Sequence, residues 1–162
     1  MAVDMFLELE NVKGEAQDSV FGPKNAIDVL AWSWGMSQSG TTHQGGGSGS
    51  GKVAVQDLHV TKYVDRASGT LVQFCTNGKH ISKGKLTVRK AGENPLEYIV
   101  IDLENIIVTN VSTGGSGGED RLTENITLNF GKFKYKYTVQ KKDGSKGEEV
   151  EVKWDIPKNA ES

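Results

Sequence analysis

Hydrophobic and polar residues alternate with a period of two along most of the chain, the pattern of strands that bury one face. Within Ile27–Met36, Leu30, Trp32, Trp34 and Met36 fall on one side, and Ala31, Ser33 and Gly35 on the other. Further strands are predicted over Lys52–Tyr63, Lys85–Lys90, Leu96–Leu103, Ile106–Ser112, Asn125–Phe130, Lys132–Gln140 and Glu148–Trp154. Each is rich in Val, Ile, Thr or aromatic residues and is bounded by turn formers. Strands so closely spaced predict a mostly-β sandwich or barrel. One segment departs from the pattern. Leu71, Val72, Phe74 and Cys75 recur at helical spacing between Ser68, a good N-cap, and Asn77-Gly78. This predicts one helix over about Ser68–Asn77, lying against the sheet.

The C-terminal strands set their own register. Phe133, Tyr135 and Tyr137 alternate with Lys132, Lys134 and Lys136, and in Val150–Trp154 the apolar residues are the even ones. A type I′ turn on Asp143-Gly144 would pair Tyr137 with Val150, Tyr135 with Val152 and Phe133 with Trp154. Lys136 would then meet Glu151, and Lys134 would face Lys153, a mild conflict. A bulge or longer loop within Lys141–Gly147 is the competing arrangement.

The chain has 162 residues, enough for one domain spanning 1–162. Its single cysteine, Cys75, excludes an intrachain disulfide framework and fits folding in a reducing cytoplasm. Nineteen Lys+Arg against 21 Asp+Glu leave a net charge of −2, so no global field draws in nucleic acid. Twenty glycines beside 3 prolines suit turn-rich β structure rather than a proline-rich linker. Met1–Glu8, with Asp4 and Glu8, lacks the basic-then-apolar layout of a secretory signal, and no run is apolar enough to insert in a membrane. Export from the cell would therefore need another machine.

Candidate chemistry is thin. Gly46–Lys52 fits the opening of a phosphate-binding loop, but Val53 stands where a metal-reaching Ser or Thr is needed, and a strand follows where a helix should. Gly114–Gly118 fits Gly-x-Ser-x-Gly, yet all three histidines, His43, His59 and His80, lie upstream of it. Those histidines and Cys75 lack close metal-ligand spacing. No cofactor or metal is expected, and no acid–base pair supports an enzyme. The Lys-and-aromatic run at 132–137 would separate rings and charges onto opposite strand faces, which argues against nucleic-acid binding. Two glycine-rich loops remain, over Ser37–Gly51 and Ser112–Gly118; the first, at about 15 residues, is long for a hairpin connection.

Several blocks carry a resemblance. They are Met5-Phe6-Leu7, Gly14-Glu15 with Asp18, Ile27–Gly35, Thr61-Lys62-Tyr63-Val64-Asp65, Gly78-Lys79-His80, Leu86–Gly92 and, most specific, Val111–Phe130. In this order they resemble the Hcp (haemolysin-coregulated) proteins of bacterial type VI secretion, over almost the whole chain. The resemblance implies a two-sheet antiparallel β-barrel with one flanking helix that assembles into a hexameric ring. It further implies rings stacked into a tube, secretion from the cytoplasm to the exterior without a signal peptide, and effectors carried in the lumen. Implied partners are other copies of the chain and the spike, sheath and effector proteins. By the same resemblance Ser37–Gly51 is the extended loop reaching the next ring, with Gln38, Ser39, Thr41, Thr42, His43 and Gln44 supplying polar contacts. Ser33, on the small-residue face of its strand, is expected to face the lumen. The alternative is a monomeric β-barrel that binds a small molecule, disfavoured by the volume that three tryptophans and five phenylalanines fill.

Overall fold

The computed structural model describes residues 2–40 and 52–162. Nine strands and one helix follow in the order β1 (Val3–Leu9), β2 (Ile27–Ser33), β3 (Met36–Gln38), β4 (Val53–Val55), β5 (Leu58–Tyr63), α1 (Ala67–Asn77), β6 (Ile81–Lys90), β7 (Leu96–Thr113), β8 (Thr123–Gln140) and β9 (Lys146–Asp155). All ladders are antiparallel, in the order β5-β2-β1-β6-β7-β8-β9. Pairing of β5 with β8, from Leu58–Leu128 to Tyr63–Thr123, closes six of these strands into a barrel. β9 hangs on β8 beyond the closure, and β3 and β4 form a separate two-stranded ribbon.

The long strands β7 and β8, 18 residues each, make the barrel two-sheeted. The first half of β8 lies between β5 and β7, and its second half between β7 and β9. Sequence patterning breaks both strands, one after Leu103 and the other at Gly131, but each runs through. The reason is a local irregularity rather than an end. Asn105 takes a positive φ of 55°, and a Cβ on the facing Gly131 would lie 3.3 Å from its amide. The predicted strand over 52–63 divides instead, its first part joining β3 and its second entering the barrel. β1 was not anticipated, yet Phe6, Leu7 and Leu9 are buried in it.

In β2 the alternation is corrected by a bulge. The ladder to β5 slips between Val29 and Ala31, so Ile27 and Val29 point inward before it and Trp32 after it. Leu30, expected on the face of the tryptophans, is 38% exposed. Trp34 packs edge-on against Phe133, with ring centroids 4.9 Å apart, and fills the interior with Phe130 and Leu, Ile and Val from both sheets.

The helix buries Ala67, Leu71 and Phe74, leaves Cys75 half-buried at the core edge, and exposes Val72. It starts one residue before Ser68. The Ala67 N–H donates to Asp65 Oδ1 at 2.9 Å, while the Ser68 hydroxyl accepts from the Asp65 N–H. Gly78 ends it in the left-handed region, φ 68°, donating to Phe74 O at 3.0 Å.

The C-terminal hairpin takes the expected register: Phe133–Trp154, Lys134–Lys153, Tyr135–Val152, Lys136–Glu151 and Tyr137–Val150. The turn differs. A bulge after Thr138 shifts the ladder to Gln140–Lys146, and the Gly144 N–H donates to Lys141 O with only Gly144, φ 88°, left-handed. This is a type I turn with a glycine bulge, not type I′.

Candidate assembly and cargo surfaces

Three of the sequence blocks meet at the start of the helix. Lys62, on the inward side of β5, is fully buried. Its ammonium pairs with Glu124 and, at 2.8 Å, with Asp65, and donates to Tyr63 O at 2.9 Å. Ser68 Oγ donates to the same Glu124 carboxylate at 2.5 Å. Glu15 accepts the Arg66 N–H at 2.9 Å, and the Arg66 guanidinium reaches Gly14 O at 2.7 Å. A side chain at Gly14 would collide with Ala26 O, 2.3 Å from the place of its Cβ. These residues join β5, β8, the helix and the 14–25 loop, so their chemistry is structural.

A second cluster holds that loop on the outside of β1. Phe21 stacks on Phe6, centroids 4.2 Å apart, and the Arg89 guanidinium lies over both rings at 5.1–5.4 Å. Arg89 bridges Asp4 at 3.0 Å and Asp18 at 2.5 Å. The Asp18 carboxylate also accepts the Val20 and Phe21 N–H groups. The Arg89 hydrogen bond is the main reason its pKa drops to about 2, against the opposing effect of burial.

The two sheets differ in what they show to the outside. Across β2, β5, β8 and β7, the outward rows read Ala31–Thr61–Asn125–Ser112 and Ser33–His59–Thr127–Asn110. None of these residues is Lys, Arg, Asp or Glu. Thr61 Oγ1 donates to Asn125 Oδ1 at 2.8 Å, and His59 Nδ1 lies 3.1 Å from Thr127 Oγ1. The other sheet carries a charge ladder, with rows Lys83–Glu104–Lys132–Asp155 and Glu8–Lys85–Asp102–Lys134–Lys153. The expected conflict of Lys134 with Lys153 is relieved by Glu151, 3.5 Å from both ammonium groups.

The inward face of the hairpin is not fully covered. Phe133 is buried, but Tyr137, Val150 and Val152 along the same face are 39%, 51% and 52% exposed. Next to them a groove of about 440 Å³ runs between the ribbon and β9, lined by Met36, Val53, Val55, Phe133, Val152 and Trp154. The predicted stacking residues Gln38 and Ser39 stand exposed at the ribbon's end. Thr41, Thr42, His43 and Gln44 lie outside the described residues. The structure brings Ser33 beside His59, not beside Gln38. Sequence reading missed the Lys62–Glu124 pair and the His59 row. Parity was the available signal, because Lys62 and Glu124 continue the inward series Leu58, Val60 and Ile126, Leu128.

This barrel, with its long crossing strands and single helix, is that of solved type VI secretion proteins. The family model "Type VI secretion system effector, Hcp" matches residues 6–137. The protein hcp1 of Pseudomonas aeruginosa is 55% identical over the full length of both chains. The chain belongs to the Hcp family. Among solved structures, a type six secretion system protein superposes with a TM-score of 0.91 at 26% identity, covering 99% of this chain and 100% of its own. Hcp1 from Salmonella typhimurium gives 0.83 at 39% identity over the full length of both chains. As an Hcp protein the chain is a structural, secreted subunit of the type VI secretion tube. Among the described residues, no helix is long and apolar enough to cross a membrane.

Proposed function

We propose that this chain closes into hexameric rings in which the uncovered shelf of β8 and β9 is buried by the neighbouring copy. Rings stack through the 37–51 loop rooted on the β3–β4 ribbon, and the Ser33 face lines the pore. The shelf carries the reading. Tyr137, Val150 and Val152 continue the barrel's own core face into solvent, and among the described residues no strand pairs with the outer edge of β9, which is bridged only at its end, Asp155 to Ala160. Apolar core surface and a free sheet edge both gain from cover by a second chain. A ring closes when each copy offers one such surface to the next. The pore reading rests on Ser33 being exposed opposite Trp32, within a face of small uncharged residues. Effectors in the lumen and the spike and sheath are then the other partners.

Light scattering on Val150→Asp/Val152→Asp tests the ring. The wild-type chain is expected as six copies and the double variant as a folded monomer. A double variant that still forms rings would place the contact elsewhere. Ser33→Arg, co-expressed with a candidate effector, tests the pore: intact rings without effector support it, and intact rings that keep the effector refute it.

A further inference from the structure

We propose that passengers in the pore are held by uncharged hydrogen bonds centred on His59, and that the contacting patch of a passenger is itself uncharged and rich in amide and hydroxyl groups. The inference rests on the reading that the Ser33 face is luminal. Its own support is the two rows Ala31–Thr61–Asn125–Ser112 and Ser33–His59–Thr127–Asn110. A quarter of the chain is charged, and the ladder sheet alternates Lys with Glu and Asp, yet these rows hold no charge. Among the described residues, charge borders the rows rather than entering them, with Asp57 bonded to Asn129 at 2.9 Å at one end, and Asp28 of β2 and Arg121, lying over Tyr63, at the other.

That composition selects by what it cannot do. A passenger's carboxylate or ammonium buried against these rows would lose water and find no counter-charge, which is costly. An amide or hydroxyl would exchange water for side-chain hydrogen bonds at little cost. Charged patches are therefore disfavoured whatever their sign, while polar neutral ones are accepted.

Within the rows His59 is the specificity-determining side chain. Most of its neighbours are short, and two are already bonded to each other, Thr61 to Asn125. His59 is exposed on β5, between the Ser33 and Thr127 strands, and contact between Nδ1 and Thr127 Oγ1 at 3.1 Å sets the ring's orientation. Nε2 remains for a passenger, as donor or acceptor according to the tautomer. Six copies around a ring would present this group repeatedly, so that individually weak bonds add through effective concentration.

The test uses purified rings and a short, capped, fluorescent Ser/Asn/Gln peptide, with Lys-substituted and Glu-substituted counterparts, read by anisotropy. The neutral peptide is expected to bind more tightly than either charged one, with an affinity unchanged from low to high salt. Loss of one neutral hydrogen bond in His59→Ala should weaken it about fivefold, and His59→Asn, which keeps a donor and an acceptor, should recover most of that. Light scattering confirms that the rings persist. Equal or tighter binding of a charged peptide, or unchanged affinity in His59→Ala, overturns the proposal. A separate arm reads the luminal placement. Ser33→Cys in a Cys75→Ser background should react with a small maleimide but not with maleimide on a dextran wider than the pore. Reaction with both would refute the luminal reading and leave the peptide comparison to judge the His59 contact alone.

Discussion

Lys62 occupies an inward position of β5 that Leu58 and Val60 lead one to expect apolar, and it is fully buried with Glu124. A buried pair of this kind contributes little over an apolar replacement, yet breaking it leaves a charge stranded. Lys62→Met is expected to cost about 3–5 kcal/mol, and adding Glu124→Leu to recover part of that, since Asp65 still loses its partner. Urea unfolding of the two variants measures the difference. Asp18 has a different setting, part-buried within the 14–25 loop with a pKa lowered to about 2 by Arg89. A depressed carboxylate contributes stability that is fully present above its unfolded pKa of about 4 and is lost as pH falls through the folded value. After discounting for solvent, Asp18→Asn should cost about 1–2 kcal/mol at neutral pH. The gap to wild type should close between about pH 4 and pH 2, read from unfolding curves at each pH.

Among the elements, the C-terminal hairpin shows how register and turn type separate. Register follows from alternation, because a slip by one residue would turn Phe133 and Trp154 out of the core and Lys134 in. Turn geometry does not follow from it, since a bulge after Thr138 absorbs the residue that a tight turn would have needed. Gly144 pays for this with a left-handed backbone, φ 88°. Gly144→Ala is therefore expected to destabilise by about 1 kcal/mol, whereas Asp143→Asn should change stability far less. Thermal unfolding of both variants checks the order. The bulge in β2 likewise decides which way side chains face. It puts Leu30 outside and fixes Ser33 on the face opposite Trp32.

For the whole molecule, the barrel leaves an apolar shelf on β8 and β9 open to water, beside the β3–β4 ribbon. In the proposed assembly the shelf makes the ring contact and the 37–51 segment the stacking contact. Rings and tubes should then be separable by mutation. Deleting Gly45–Gly49 is expected to leave rings intact by light scattering while shortening or abolishing tubes in negative-stain images. Tubes of undiminished length would show that the loop is not the stacking contact.

What the residues determine by themselves is local. Period-two alternation identified most strands, the hairpin register and the inward tryptophans, because side-chain direction in a strand depends on nothing but parity. Helical spacing placed Ala67–Asn77 to within one residue, and the blocks Thr61–Asp65 and Val111–Phe130 carried the family. The tertiary structure decided the rest. Whether 96–113 is one strand or two depends on the partner facing Asn105, and the bulge that exposes Leu30 exists only in the pairing of β2 with β5. Lys62 could be buried because Glu124, 62 residues away, comes back beside it. The uncharged face around His59 is likewise legible only in register, since each row takes one residue from each of four strands and no stretch of sequence contains it.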